Sequence, residues 1–156
     1  MYELYKLLHL VAAILWMGGM AFMLLALRPA AVSVLQPPER VQLMVAVMRR
    51  FFAVVGVSIA ALLVSGTPMY TTMFRATREA SGQGSVPLGW NLMLVLGLLM
   101  MLVFGHLFFV GYARFKRAAL AKDWPLAGKA ALLIHRLVIT NFVLGWIAIV
   151  CVRLVH

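Results

Sequence analysis

The stretch LLHLVAAILWMGGMAFMLLAL, residues Leu7 to Leu27, decides the fold: twenty-one consecutive residues without an aspartate, glutamate, lysine or arginine. A hydrocarbon core of about 30 Å is crossed by roughly 20 helical residues, so this stretch has the length of one transmembrane pass. Three further blocks have the same character, at about Phe51 to Phe74, Trp90 to Tyr112 and Leu137 to Leu154, the last being the shortest. Backbone N–H and C=O groups find no partner in lipid, so all four spans must be helices.

Composition points the same way. Hydrophobic residues make up 65% of the 156, charged residues 12%, and no segment between the blocks is long enough to bury a core of its own. The fold expected is all-α: one integral membrane four-helix bundle, residues 1–156, running up-down-up-down. The net charge of +10 does not point to nucleic acid, because the basic residues cluster at span ends rather than on an exposed helix with interleaved aromatics. Cys151 is the only cysteine and lies inside the fourth span, which excludes a disulfide framework and a thiolate metal site.

Loop charge sets the orientation. Arg28, Arg40, Arg49 and Arg50 lie between spans one and two, and Arg114, Lys116, Arg117, Lys122, Lys129 and Arg136 between three and four. Lys6, Arg75, Arg78 and Arg153 are all that the other side holds. By the positive-inside rule, ten against four places both basic connections in the cytoplasm and, in a bacterium, both termini in the periplasm of the inner membrane. The first span is too long for a signal-peptide core and has no clear cleavage site, so it reads as a retained helix.

The helices are expected to continue past the membrane on the cytoplasmic side. Pro37, Pro38 and Glu39 start helix two near Glu39, helix three runs on to Ala121, and Asp123, Trp124 and Pro125 supply an N-cap and first-turn proline for helix four. Pro68 is expected to kink helix two or end it early, and Ser81 to Ser85 to form a flexible connection.

Histidine is the residue type to follow, since ionisable groups inside a membrane mark functional sites. His9, His106 and His135 lie in or beside apolar runs; His156 is the last residue and reads as solvated. His9 is about eight residues outward of the middle of its span and His106 about five residues inward of its own, a difference of roughly 20 Å that a single iron does not bridge. His106 and His135 fall in the same half, about 7 Å apart in depth, so the two imidazoles could fill both axial positions of one haem. The His106 face would offer Leu99, Leu102, Phe109 and Val110, and the His135 face Val138, Phe142 and Trp146; alternatively His135 touches lipid phosphate at the boundary.

A second constellation lies outward. His9, Met69, Met73 and Met93 fall near the periplasmic ends of their helices, and imidazole plus thioether is the soft donor set that suits Cu(I) or the His/Met ligation of a haem. On its helix His9 lines up with Ala12, Ala13, Trp16 and Met20. Gly18, Gly19, Gly97 and Gly145 read as sites of close helix approach, Trp90, Tyr70 and Tyr112 as interfacial aromatics, and Asn141 and Thr140 as interhelical hydrogen bonders. No acid lies within a span, which argues against a carboxylate proton relay, and no Ser/His/Asp or Cys/His nucleophile arrangement is visible.

His9, the Trp16 that follows seven residues later, Gly18-Gly19 and the closing Arg28-Pro29-Ala30 resemble the opening of the CopD-like membrane proteins. Arg49 to Phe52, Gly105-His106, Asp123-Trp124-Pro125 and Arg136-Leu137-Val138 extend the resemblance over nearly the whole chain. The CopD-like family is similar, more distantly, to HemJ-type protoporphyrinogen oxidases. Those share Gly89-Trp90, but the lysine they carry early in the third span has no counterpart among Asn91, Leu92, Met93 and Leu94. The resemblance implies either copper handling or a b-type haem.

Two functions are therefore expected. One is a membrane haem b protein for electron transfer or redox chemistry, with His106, His135 and His9 as ligand candidates and a quinone or other redox partner. The other is a copper-binding or copper-transporting protein built on His9, Met69, Met73 and Met93. Porphyrinogen oxidation, the activity of a membrane oxidoreductase, is a weaker third. The Gly-lined helices are compatible with a homodimer.

Overall fold

A computed structural model describes residues 1–82, 84 and 86–155. Four helices account for almost all of them: α1, Tyr2–Val34; α2, Pro37–Ser81; α3, Leu88–Leu120; and α4, Trp124–Leu154. Each is long and apolar enough to cross a membrane, and no strand occurs among the described residues. The protein is an all-α four-helix membrane bundle. His156 and two residues of the Ser81 to Ser85 connection, Gln83 and Ser85, lie outside the described residues.

Helix ends follow local chemistry. Gln36 caps α2, with its backbone N–H donating to the Glu39 carboxylate at 3.4 Å and Pro37 and Pro38 in the first turn, where a missing N–H costs nothing. Asp123 accepts from the Leu126 N–H at 3.0 Å to start α4. Between them α3 closes in a Schellman turn: the Asp123 N–H reaches the Ala118 carbonyl and the Lys122 N–H that of Ala119, with Lys122 at φ 57. α2 does not stop at Pro68 but runs on to Ser81, so its 45 residues span about 68 Å and exceed the hydrocarbon core.

Two helices contain π turns. In α1 the turn at Met23–Leu27 ends two residues before Pro29, and the Arg28 N–H reaches back to the Met23 carbonyl. Pro29 brings no N–H and crowds the preceding turn, and widening the helix there relieves both. In α3 the turn Leu107–Tyr112 follows His106 and shifts the phase of the helix, so that Leu107, Gly111, Tyr112 and Phe115 all face inward.

α1 packs along α2 and α3 along α4, giving two antiparallel hairpins laid side by side. The half nearer the α1–α2 and α3–α4 connections, called here the basic end, is filled by aromatics. Phe52 of α2 makes edge contacts with Phe104, Phe108 and Tyr112 of α3 at 5.0 to 5.8 Å, and Trp16 of α1 meets Phe104 at 6.2 Å. Tyr112 is buried and its hydroxyl donates to the Val45 carbonyl at 3.3 Å, so it ties α3 to α2 within the core rather than lying in an interfacial belt. Asn141, 2% exposed, ties α4 to α3 by donating to the Met100 carbonyl at 3.2 Å; Thr140 bonds only within its own helix, to Arg136.

A candidate cofactor cavity at the termini end

Beyond the Trp16–Phe104 contact the hairpins part. Between them, in the half that holds both chain termini, lies a cavity of about 410 Å³ walled by all four helices. That is within the range of roughly 300–1,000 Å³ for cofactor and small-molecule sites. Trp16, Met17, Met100 and Gly145 form its deep part, while Tyr70, Thr71, Trp90 and Val152 stand toward the chain ends.

Small residues make the room. A Cβ on Gly145 would strike the Met17 thioether and come within 3.1 Å of Met100, and one on Gly66 would lie 3.2 Å from the His9 ring. Gly97 adds bare backbone to the wall. Tyr70 donates its hydroxyl to Asn91 at 2.6 Å, and Asn91 donates to the Val86 carbonyl, which braces α2 against the start of α3 beside the cavity.

Among the described residues His9 is the one imidazole in the lining, and Ser65 stands behind it. Ser65, fully buried on α2, has a single hydroxyl hydrogen, donated to the Ala61 carbonyl of its own helix at 2.6 Å. The His9 Nδ1 lies 3.1 Å from that oxygen, and in the Nδ1-protonated tautomer it donates to it. With the proton on Nδ1, Nε2 carries the lone pair, the form in which a histidine ligates a metal, and Ser65 is its orienting partner.

Of the residues singled out by sequence, His9, Met69 and Met93 meet in this lining, together with Met17, Met100 and Met101. Met73, half-buried farther along α2, is not part of it. His106 lies on the outer surface of α3, exposed alongside Leu102 and Phe109, which are 72% and 75% accessible. His135 sits at the basic end, half-buried in a small void with Arg28, Met23, Met44 and Met48. Neither cavity includes His106, so the described residues do not gather His106 and His135 around one space. Nor does any group of three or more His, Cys, Asp or Glu converge among the described residues.

Sequence reading missed Ser65 and Gly66. Their signal was present in the run Ser65-Gly66-Thr67-Pro68, four residues of low hydropathy inside an apolar span, which reads as a helix breaker until the helix is seen to continue through it. Trp90 and Tyr70 turn out to line the cavity, a role that their position near the span ends does not separate from a lipid-facing one. Comparison with protein-family models, with curated proteins and with solved structures finds no match.

Proposed function

We propose that the chain binds a b-type haem in the cavity at the termini end, where His9 would hold it through Nε2, and serves one-electron redox chemistry in the membrane. The observation that carries this is the Ser65-clamped His9 at the edge of a 410 Å³ apolar cavity. A metal ion alone needs no such volume, whereas a flat macrocycle needs a space of this order, glycine-lined walls and an imidazole whose free nitrogen is a lone pair. When bound, haem supplies a reversible one-electron couple whose potential depends on axial ligand and burial.

The protein's own residues do the rest. Ser65 holds the His9 tautomer, Gly66, Gly97 and Gly145 leave the wall open, and Trp16 and Phe104 shut the cavity from the aromatic half. Met69 and Met93 line the same cavity and would offer thioether sulfur to the group beside His9. The similarity of His9, Trp16 and Gly18-Gly19 to CopD-like proteins agrees with a haem or copper role. In a bacterial inner membrane, the ten-to-four distribution of basic residues supports an orientation with the termini, and hence this cavity, on the periplasmic side. A quinone or other membrane redox carrier is the partner this location favours.

Five methionines in the lining favour a second reading, capture of Cu(I) by His9 and thioethers. Colour separates the two. Protein purified in mild detergent is expected to show a Soret band and sharp α and β bands on reduction. A preparation that stays colourless after haem supplementation but retains stoichiometric copper would replace the haem reading by the copper one.

A further inference from the structure

We propose a second, separate site for a soft monovalent metal ion, Cu(I) or Ag(I), at the basic end of the bundle, formed by Met23, Met44, Met48 and His135. The four donors come from three helices. Met44 and Met48 are one turn apart on α2 and share a face, Met23 opens the π turn of α1, and His135 comes from α4. All four border one void of about 20 Å³. A void of that size holds a single water or ion, since roughly 10–15 Å³ is the least that admits one.

Two features tell this void from ordinary packing. The His135 Nδ1 is buried and has no hydrogen-bond partner, so a nitrogen donor is left with nothing to bond. The three methionines are 4 to 8% exposed and border the same void as His135. A water here would want two to four polar partners and would find mostly thioether and aliphatic wall. A soft ion finds three sulfurs and one imidazole, the donor types it prefers.

Charge narrows the choice of ion. Thioethers and neutral imidazole carry no negative charge, and the half-exposed Arg28 borders the same void. With no carboxylate or thiolate to offset it, the guanidinium repels a dication about twice as strongly as a monocation, so the ion of lower charge is the one favoured. Met23 opens the π turn that Arg28 closes by bonding back to the Met23 carbonyl, so the backbone irregularity of α1 and this void occupy the same stretch. The proposal uses none of the haem cavity's residues and does not rest on the haem reading.

The full-length protein in detergent, incubated with Ag(I) and dialysed, is expected to retain about one silver per chain at this site in a His9→Ala background, where the termini-end cavity has lost its imidazole. The double variant Met44→Leu/Met48→Leu, close in volume and so expected to keep its helical content and unfolding midpoint, should lose that silver, and His135→Gln should weaken its retention. X-ray absorption on the silver-loaded His9→Ala protein is expected to give a sulfur shell with a nitrogen contribution. Silver retained equally with and without Met44 and Met48, silver absent from the parent protein, or a shell of oxygen alone would overturn the proposal. Should the double variant lose its helical content, the absorption spectrum of the parent decides.

Discussion

Ser65 has one hydrogen to give and gives it to Ala61, which leaves the Nδ1 proton of His9 to complete the bond between helices. Ser65→Ala removes the acceptor without adding bulk. It is expected to weaken haem binding about 10–100-fold, the usual effect of losing a partner behind a metal-ligating histidine, while the helical spectrum stays unchanged. Haem titration checks this, and unaltered affinity would detach Ser65 from the site. Lys122 presents the opposite case, a residue at odds with its place. It occupies the left-handed position of a Schellman turn that favours glycine, so Lys122→Gly is expected to stabilise the bundle by about 1 kcal/mol, read from unfolding in mixed micelles. Asn141→Ala removes the Asn141–Met100 bond and should cost about 0.6 kcal/mol and no more than about 1.7, as interhelical bonds within membranes do.

Helix positions were legible from the sequence because caps and prolines punctuate it: Pro37-Pro38-Glu39 and Asp123-Trp124-Pro125 start helices as the residues suggest. The inward faces were not. α3 is apolar all round, so periodicity cannot say which side meets its neighbours, and the π turn after His106 changes the phase midway. His106 consequently shares its exposed side with Leu102 and Phe109, as its spacing indicated, but that side is the outer one. Glycine contacts give the element-level prediction. Gly89 of α3 sits so close to α4 that a Cβ would meet the backbone carbonyls of Val155 and Cys151, and backbone cannot swing aside as a side chain can. Gly89→Ala is expected to cost about 1–3 kcal/mol by wedging α3 from α4, whereas the same change at Gly18, with open space around it, should be near neutral. Comparable unfolding curves for the two variants would contradict this account of the α3–α4 contact.

At the scale of the whole molecule, two hairpins close over an aromatic cluster at one end and stay apart at the other, and the gap is the candidate site. The outward grouping of His9, Met69 and Met93 could be read from span depth alone, because antiparallel helices bring residues of equal depth together. Ser65, Gly66 and Gly145 could not, since their part depends on which helix each one faces. Orientation has its own test. In a Cys151→Ser background, a cysteine placed at Lys122 should react with a membrane-impermeant thiol reagent only from the cytoplasmic side, and labelling in intact cells would reverse the topology.

The central claim is that His9 holds the haem. Its most direct test is the reduced-minus-oxidised spectrum of purified His9→Ala beside those of the parent protein and His106→Ala. The account predicts loss of the sharp α band with His9→Ala and its retention with His106→Ala; an unchanged α band in His9→Ala would contradict it.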